Sequence, residues 1–162
     1  MIVIGIDPGT IRTGYGILRR DGGRIIRLAS GTIRLDNKTP VEERLIPLQD
    51  ELDRVLVSHG PDEAAVESLF FSKNAMSALK LGHARGVILL TLSRHNLPVS
   101  SYAPALVKRS VVGGGRAAKG QVAKVIQAIL GLKEIPQEDE ADALAIAICH
   151  LNAPKIPTAP QS

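Results

Sequence analysis

Four carboxylates stand out because of where they lie relative to apolar segments. Asp7 ends the apolar run that starts at Ile2, just before a Pro-Gly pair, and Glu67 ends a second short apolar strand. Asp139 and Asp142, three residues apart at the start of an apolar helix pattern, share one helix face. Oxygen donors without His or Cys suit a hard divalent cation such as Mg²⁺ or Mn²⁺, and two such ions can activate water at a phosphodiester. The pattern therefore predicts a metal-dependent phosphodiester-cleaving site.

Plainer interpretations exist for three of these acids. Asp7 could cap its own Pro-Gly-Thr turn, Glu67 could form an ion pair with a basic residue, and Asp139 could be a first-turn acid favoured by the helix dipole. Asp142 resists such an interpretation because it lies within a run of Ala, Ile and Leu. No Lys or Arg adjoins any of the four in the sequence, so we favour metal binding for the set.

The segments around these acids predict an α/β fold. Apolar periodicity and Gly/Pro punctuation give three antiparallel strands joined at a turn over 21–23, and then helices and strands in alternation. The predicted later elements are a helix from Pro40 to Gly60, a strand over 63–69, helices over 74–95, 104–112, 119–130 and 138–150, and a strand over 97–101. This order predicts one mixed sheet with helices on its faces.

The predicted helix over 74–95 carries two glycines four residues apart, Gly82 and Gly86. With Leu79, Leu89 and Leu90, they are expected to face inward or against a neighbour. Glycines at this spacing allow close approach of another helix, either within the subunit or between subunits.

Charge is strongly segregated along the chain. The 162 residues carry a net charge of +4, yet no Asp or Glu occurs from Ser68 to Lys133, where ten basic residues lie. A surface that binds a polyanion concentrates positive charge in this way, whereas an ordinary solvated surface mixes its signs. The distribution therefore favours nucleic acid as the ligand.

Two short segments within this basic block have features of DNA contact. Gly113-Gly114-Gly115-Arg116, with Lys119 at a predicted helix start, would hold backbone amides and two cations against a phosphate, although the spacing is not that of a P-loop. Phe70 and Phe71 are the only phenylalanines. Core burial is the plainer expectation for either ring, but side chains of neighbouring residues in an extended segment point opposite ways, so one ring could stack on an unpaired base.

The remaining features bound the class of protein. A single cysteine, Cys149, excludes an internal disulfide and favours a cytoplasmic setting, and no apolar run is long enough for a membrane helix. The four histidines share no ligand spacing and are expected at surfaces or helix ends. We expect one domain over 1–151 and a flexible Pro-rich tail over 152–162.

The motifs together closely resemble the RuvC family of bacterial Holliday junction resolvases. They span about 1–150 in order: Gly5-Ile6-Asp7-Pro8-Gly9-Thr10 with Thr13-Gly14-Tyr15-Gly16, Val66-Glu67 with Phe70, Lys73-Asn74 with Ser77-Ala78-Leu79-Lys80-Leu81-Gly82 and Ala84-Arg85-Gly86, Val107-Lys108 with Val111-Val112-Gly113, and Asp139 with Ala141-Asp142-Ala143-Leu144-Ala145-Ile146-Ala147.

The resemblance implies a ribonuclease H-like fold with a five-stranded mixed sheet flanked by helices. It implies a homodimer that resolves four-way DNA junctions by paired symmetric nicking, with two Mg²⁺ or Mn²⁺ ions per site and a branch-migration motor as partner. The catalytic and metal-binding acids fall on Asp7, Glu67, Asp139 and Asp142. The stacking aromatic falls on Phe70, and the basic residues implicated in catalysis or DNA contact fall on Lys108 and Lys119. With Lys73 and Arg116 from the basic block, these complete the expected DNA-binding set.

Two other classes of function stay open at this point. The first Gly-Ile-Asp-Pro-Gly-Thr loop also resembles the phosphate loop of actin-like and sugar-kinase-like ATPases, although these proteins use two such domains around the nucleotide. The second class is a non-catalytic junction-binding protein, in which the acids only hold the ends of the sheet together.

Overall fold

A five-stranded mixed sheet forms the centre of the computed structural model, which describes residues 1–68, 74–114, 118 and 120–154. The strands in these residues are β1 (Ile2–Asp7), β2 (Arg12–Asp21), β3 (Arg24–Arg34), β4 (Glu63–Glu67) and β5 (Val99–Tyr102). Their order in the sheet is β3-β2-β1-β4-β5. The first three strands pair antiparallel, whereas β4 pairs parallel with β1 and with β5. The predicted antiparallel start and the mixed sheet are both confirmed.

The helices follow the predicted order with small shifts at their ends. They are α1 (Val41–His59), α2 (Ala75–Arg94), α3 (Pro104–Val112), α4 (Gln121–Leu130) and α5 (Glu138–Asn152). Helix α4 begins later than predicted because its N-cap, Gly120, has φ 80°, which does not continue a helix. Strand β5 starts at Val99, directly after Pro98, which has no N–H to donate to a strand partner.

The two faces of the sheet bury two separate apolar clusters. Ile4 and Ile6 of β1 pack on the side of α1 and α2. Val3 of β1 and Ala65 of β4 pack on the other side, against α3, α4 and α5. Because side chains alternate along a strand, Asp7 must point to the same side as Val3, which is the side of α5.

The structure divides the residues expected to face inward or against a neighbour on α2 into two groups. The buried residues of α2 are Ala84, Ile88, Thr91 and Leu92. In contrast, Leu79 and Leu90 are 55% and 54% exposed, and a side chain added at Gly82 or Gly86 would meet no atom within 4 Å. Of the residues expected to face inward or against a neighbour, Leu89 packs against the core cluster, whereas Leu79, Gly82, Gly86 and Leu90 do not, so contact with another subunit stays open for these four.

Three smaller expectations concern the ends and the class of the chain. Among the described residues, no helix combines the length and apolarity needed to cross a membrane. Cys149 is a buried free thiol within α5. The predicted tail lies mostly outside the described residues, and α5 includes Asn152, the first residue assigned to it.

Candidate active site

Helix α5 lies directly on the sheet, because glycines leave room for its backbone. A Cβ at Gly5 of β1 would lie 2.6 Å from the backbone nitrogen of Ala147, and a Cβ at Gly16 of β2 would lie 2.6 Å from the side chain of Leu144. At Gly14 of β2, an added Cβ would collide with the carbonyl oxygen of Asp139. The glycines of the first two strands therefore determine how closely the start of α5 approaches the carboxyl end of β1.

This packing brings the four predicted acids to one edge of the sheet. Asp7 pairs with Gly14 in the β1–β2 register, so Asp139 lies over the strand next to Asp7. Glu67 ends β4, whose Val66 pairs with Ile6, so its place beside Asp7 follows from the parallel register. Asp142 adjoins the part of α5 that covers Gly5.

The ionisation of these carboxyls reflects their burial and their mutual repulsion. Burial is the largest cause that raises the pKa of Asp7, from its ordinary 3.8 to about 8, and the charges of Glu67, Asp142 and Asp139 follow. Burial raises the pKa of Glu67 as well, while a hydrogen bond with Asp7 and the charge of Lys108 oppose that rise. Burial, followed by the charge of Glu67, raises the pKa of Asp142 to about 6. Burial therefore shifts the pKa values of Asp7, Glu67 and Asp142 in the same direction, upward.

The plainer interpretation of Asp7 is not supported by its surroundings. The turn after β1 is closed by Thr13, whose buried hydroxyl donates to the Gly9 carbonyl at 3.1 Å and accepts from the Gly9 N–H at 3.3 Å. Because Thr13 bonds both the N–H and the carbonyl of Gly9, the Asp7 carboxyl is not needed to cap this turn. Sequence reasoning missed Thr13, although a hydroxyl residue just inside β2 is a signal for such a contact.

The plainer interpretation of Glu67, an ion pair with a basic residue, is not supported either. Within the described ranges, no Lys or Arg nitrogen lies in ion-pair range of the Glu67 carboxylate. Arg85 of α2 lies nearby but donates to the backbone carbonyl of Glu67 at 3.2 Å and to Ser101 Oγ at 2.9 Å. Arg85 therefore holds the end of β4 through its backbone and is not a partner of the Glu67 carboxylate. Arg85 belongs to one of the motifs that carry the family resemblance, but the motif predicts no role of its own for this residue.

The three acids in the first turn of α5 serve different purposes. Glu140 accepts a hydrogen bond from Ser30 of β3 at 2.5 Å and lies 3.6 Å from Arg27. Glu138 is exposed. Asp139 is half-buried, and its charge contributes to the raised pKa values of Asp7 and Asp142. A favourable position at the helix start does not by itself account for Asp139, which also belongs to the acidic edge.

The donor chemistry of the four acids fits a divalent cation, although their positions form no finished ligand set. In the part of the chain that the structure describes, no three His, Cys, Asp or Glu side chains form a ready-made metal site. Clustered carboxylates without basic partners offer the oxygen donors and the negative charge that Mg²⁺ or Mn²⁺ requires.

Lys108 of α3 stands beside the acids without pairing with them. It lines a cavity of about 180 Å³ together with Glu67 and Asp142, and the apolar walls of this cavity include Val107 and Val122. Its positive charge lowers the pKa values of Glu67 and Asp142. The structure thus brings one predicted DNA-binding residue to the acidic edge. The other four, Phe70, Lys73, Arg116 and Lys119, lie outside the described residues.

With the geometry in place, comparison with known proteins identifies the family. The family model described as crossover junction endodeoxyribonuclease RuvC matches residues 3–150. The chain belongs to the RuvC family. A relative from Sorangium cellulosum, named crossover junction endodeoxyribonuclease RuvC, is 56% identical over 94% of this chain and 86% of its own length. A second RuvC, from Syntrophotalea carbinolica, is 49% identical over 93% of each chain.

Solved structures agree with this assignment. RuvC of Thermus thermophilus in complex with a Holliday junction substrate superposes with a TM-score of 0.87, at 37% identity and 93% coverage of each chain. The yeast mitochondrial Holliday junction resolvase Ydc2 shares the fold, with a TM-score of 0.64 at 16% identity. The fold is therefore ribonuclease H-like, and the enzyme is a crossover junction endodeoxyribonuclease of the RuvC family, whose nucleases depend on divalent metal ions. This assignment excludes the ATPase alternative.

Proposed function

We propose that residues 1–151 form a nuclease domain that resolves four-way DNA junctions by paired symmetric nicking during recombination and repair. Asp7, Glu67, Asp139 and Asp142 are its catalytic, metal-binding residues. The observation that carries this proposal is the meeting of four carboxylates from β1, β4 and α5 at one sheet edge, in a member of the RuvC family. Among the described residues, no Lys or Arg forms an ion pair with any of the four.

Each part of the site has a distinct task in this proposal. Two bound Mg²⁺ or Mn²⁺ ions supply activation of a water and stabilisation of the charge that develops on the phosphate. Asp7 and Glu67, at the ends of adjacent strands, and Asp139 and Asp142, in the first turns of α5, would hold these ions. Lys108 presents an ammonium donor at the cavity that it shares with Glu67 and Asp142, where it favours the ionised acids and attracts a DNA phosphate.

DNA contact in this proposal extends beyond Lys108 to Phe70, Lys73, Arg116 and Lys119. The acid-free block from Ser68 to Lys133 supports it, because each Lys or Arg at a phosphate releases counterions. The Phe70 ring would stack on a base at the crossover, which is worth about 1–3 kcal/mol per stacked base.

A synthetic four-way junction with each strand labelled in turn tests the nuclease proposal. Wild-type protein with Mg²⁺ or Mn²⁺ should nick two opposed strands at symmetric positions and leave ends that ligase seals, while a linear duplex of the same sequence stays intact. Calorimetric titration with Mn²⁺ gives a readout independent of cleavage. Absence of paired nicks, or an Asp139→Asn variant that cleaves and binds Mn²⁺ like wild type, would contradict the assignment.

The exposed stripe of α2 supports a homodimer. Leu79, Gly82, Gly86 and Leu90 lie on it, with open space above both glycines. Large apolar side chains beside helix glycines are well suited to close packing against a second copy of the chain. A dimer would also supply the two active sites that paired nicking needs.

Gly86→Leu tests the dimer in solution. The added side chain fits the monomer, since nothing lies within 4 Å of its Cβ, and leucine favours a helix over glycine by roughly 1 kcal/mol. We therefore expect a folded monomer by sedimentation, whereas Ser58→Leu on the exposed surface of α1 should stay dimeric. A Gly86→Leu protein that sediments as a dimer would move the contact elsewhere.

A branch-migration motor as partner and a cytoplasmic location complete the proposal. Both follow from the proposed junction substrate, because a branch-migration motor moves the same junction that a resolvase cleaves. Co-sedimentation of the protein with a purified motor on a four-way junction, compared with the junction alone, tests the partnership. If the motor and the resolvase bind different junction molecules and never sediment together on one junction, the partnership is contradicted.

A further inference from the structure

A second polar cavity, here called the Arg44 cavity, lies beside the turn that follows β1. It has a volume of about 390 Å³ and is lined by Thr10, Ile11, Asn37, Arg44, Ser77 and Lys80. No Asp or Glu is among these residues, although the acidic edge starts at Asp7, three positions before Thr10. Two cations and several neutral groups from four chain segments therefore surround a space beside the turn that follows Asp7.

Arg44 forms a fixed part of this cavity. Its Nε donates to the Thr39 carbonyl at 2.9 Å, and its Nη1 donates to the Thr10 carbonyl at 3.2 Å. These bonds orient the guanidinium and leave its other N–H donors for a ligand. A planar guanidinium held in this way suits a phosphate oxyanion, which it can bind through two parallel hydrogen bonds.

Lys80 supplies a second positive charge from α2. It is exposed, and within the described ranges it makes no hydrogen bond or ion pair. Ser77 lies one turn earlier on α2 and adds a hydroxyl to the wall. Two acids adjoin lining residues in the sequence: Asp36 Oδ1 accepts from the Lys38 N–H at 2.9 Å in its own loop, and Glu43, next to Arg44, forms no ion pair within the described residues. The charge of Lys80 is therefore available to an anion.

The cavity lies on the opposite side of the sheet edge from Lys108. Arg44 and Lys80 belong to α1 and α2, which pack on one face, whereas Lys108 belongs to α3 on the other face. A DNA strand that approaches the acidic edge is repelled by the carboxylates. Cationic contacts on both sides would hold the strand across the edge.

We propose that the Arg44 cavity binds a backbone phosphate of the DNA strand on the α1/α2 side of the acidic edge. This inference rests on the proposed nuclease function and names a contact of the same substrate. Because Arg44 also holds the Thr10 carbonyl, the bound phosphate is linked through one side chain to the turn that carries Asp7.

Lys80→Gln, with Arg24→Gln as the matched control, tests this contact. Arg24 is exposed at the opposite end of the sheet, so both variants lose one charge, but only one loses it at the cavity. Junction affinity is measured by fluorescence anisotropy in metal-free buffer over a range of salt. For Lys80→Gln we expect weaker binding and a slope of log K against log salt that is lower by about one, with wild-type behaviour for Arg24→Gln. Equal slopes for all three proteins would overturn the proposal.

Neutral methylphosphonates placed singly along the junction strands show whether the ligand belongs to DNA. At one position, the methylphosphonate should weaken binding of the wild-type protein but should not weaken binding of Lys80→Gln any further. That result would show that Lys80 and this phosphate are energetically coupled. Losses that add at every position, or displacement by inorganic phosphate at constant ionic strength without any position effect, would overturn a strand contact. If wild type neither binds nor nicks the junction, the proposed function itself fails. If it does both and Lys80→Gln matches it, only the cavity assignment fails.

Discussion

The two ends of β4 carry one glutamate each, and the same helix covers both. Glu63 and Glu67 are four positions apart, and side chains two or four positions apart share a face of a strand, so both face α5. At the end of α5, His150 lies 2.7 Å from Glu63 Oε2 through Nε2 and 2.7 Å from the Tyr102 hydroxyl through Nδ1. At the start of α5, Glu67 meets other carboxyls instead. One strand and one helix thus build a satisfied polar network at one end and an electrostatically strained one at the other.

This difference separates a structural acid from a functional one. A buried carboxylate with a hydrogen-bonding partner contributes to stability, whereas acids that face one another raise each other's pKa and need an external positive charge. His150 also shows that a histidine at a helix end can do more than face solvent, since its side chain is only 10% exposed. Four predictions follow the contrast between these ends, beginning with the strongest effect.

Asp7→Asn and Glu63→Gln should differ most in cleavage. Removing a carboxylate from the acidic edge should lower the rate of junction nicking by at least about 10²-fold, because it removes an oxygen donor and the charge that attracts the cation. Glu63→Gln keeps its shape at the other end and should cleave like wild type. Initial rates on a labelled junction measure both, and similar losses in the two variants would erase the contrast.

Metal-free protein should lose stability as pH rises. The pKa of Asp7 is raised from 3.8 to about 8 and that of Asp142 from 3.8 to about 6, so the folded state binds more protons than the unfolded state in this window. Unfolding free energy should therefore fall as the pH rises from about 4 to about 8. Urea unfolding in EDTA measures it. The slope should flatten in Asp7→Asn and persist in Glu63→Gln. Equal slopes in the two variants would contradict the cause.

Lys108→Gln should have a moderate effect on cleavage. Loss of its charge would raise the pKa values of Glu67 and Asp142 further, so the acid limb of the pH–rate profile should move to higher pH and the neutral-pH rate should fall about 10-fold. Lys108→Arg keeps the charge and should recover part of the rate. An unchanged profile in Lys108→Gln would remove this residue from the acidic edge.

His150→Leu should affect stability and leave cleavage unchanged. The substitution removes the contacts with Tyr102 and Glu63, at a cost of about 1–2 kcal/mol in unfolding free energy. Urea unfolding measures this loss of stability. Nicking rates, measured at urea concentrations below the unfolding transition, show whether the folded variant cleaves like wild type. A cleavage defect in folded His150→Leu would mean that the two ends of β4 are functionally connected.

Much of the chain was predictable because local physics determines it. Strand alternation, helix periodicity and the Gly-Pro breaks depend on neighbours in the sequence, and they gave the order of elements and the placement of Asp7 at a strand end. The spacing of Asp139 and Asp142 likewise placed both on one helix face. The periodicity of α2 left open which residues face the core and which face a neighbour, because it fits several faces and only the packing of Ala84 and Ile88 selects the inward one.

By itself, the sequence determined the elements, the segregated charge and the identity of the acids. Only the tertiary structure decided that Gly5 and Gly14 leave room for the α5 backbone. It also decided that Thr13 closes the turn after Asp7 and that Arg85 bonds the backbone of Glu67. It likewise decided which glutamate of β4 meets a histidine. The reason is physical: hydrogen-bond periodicity acts over a few residues, whereas these contacts join distant parts of the chain whose distances are set by packing.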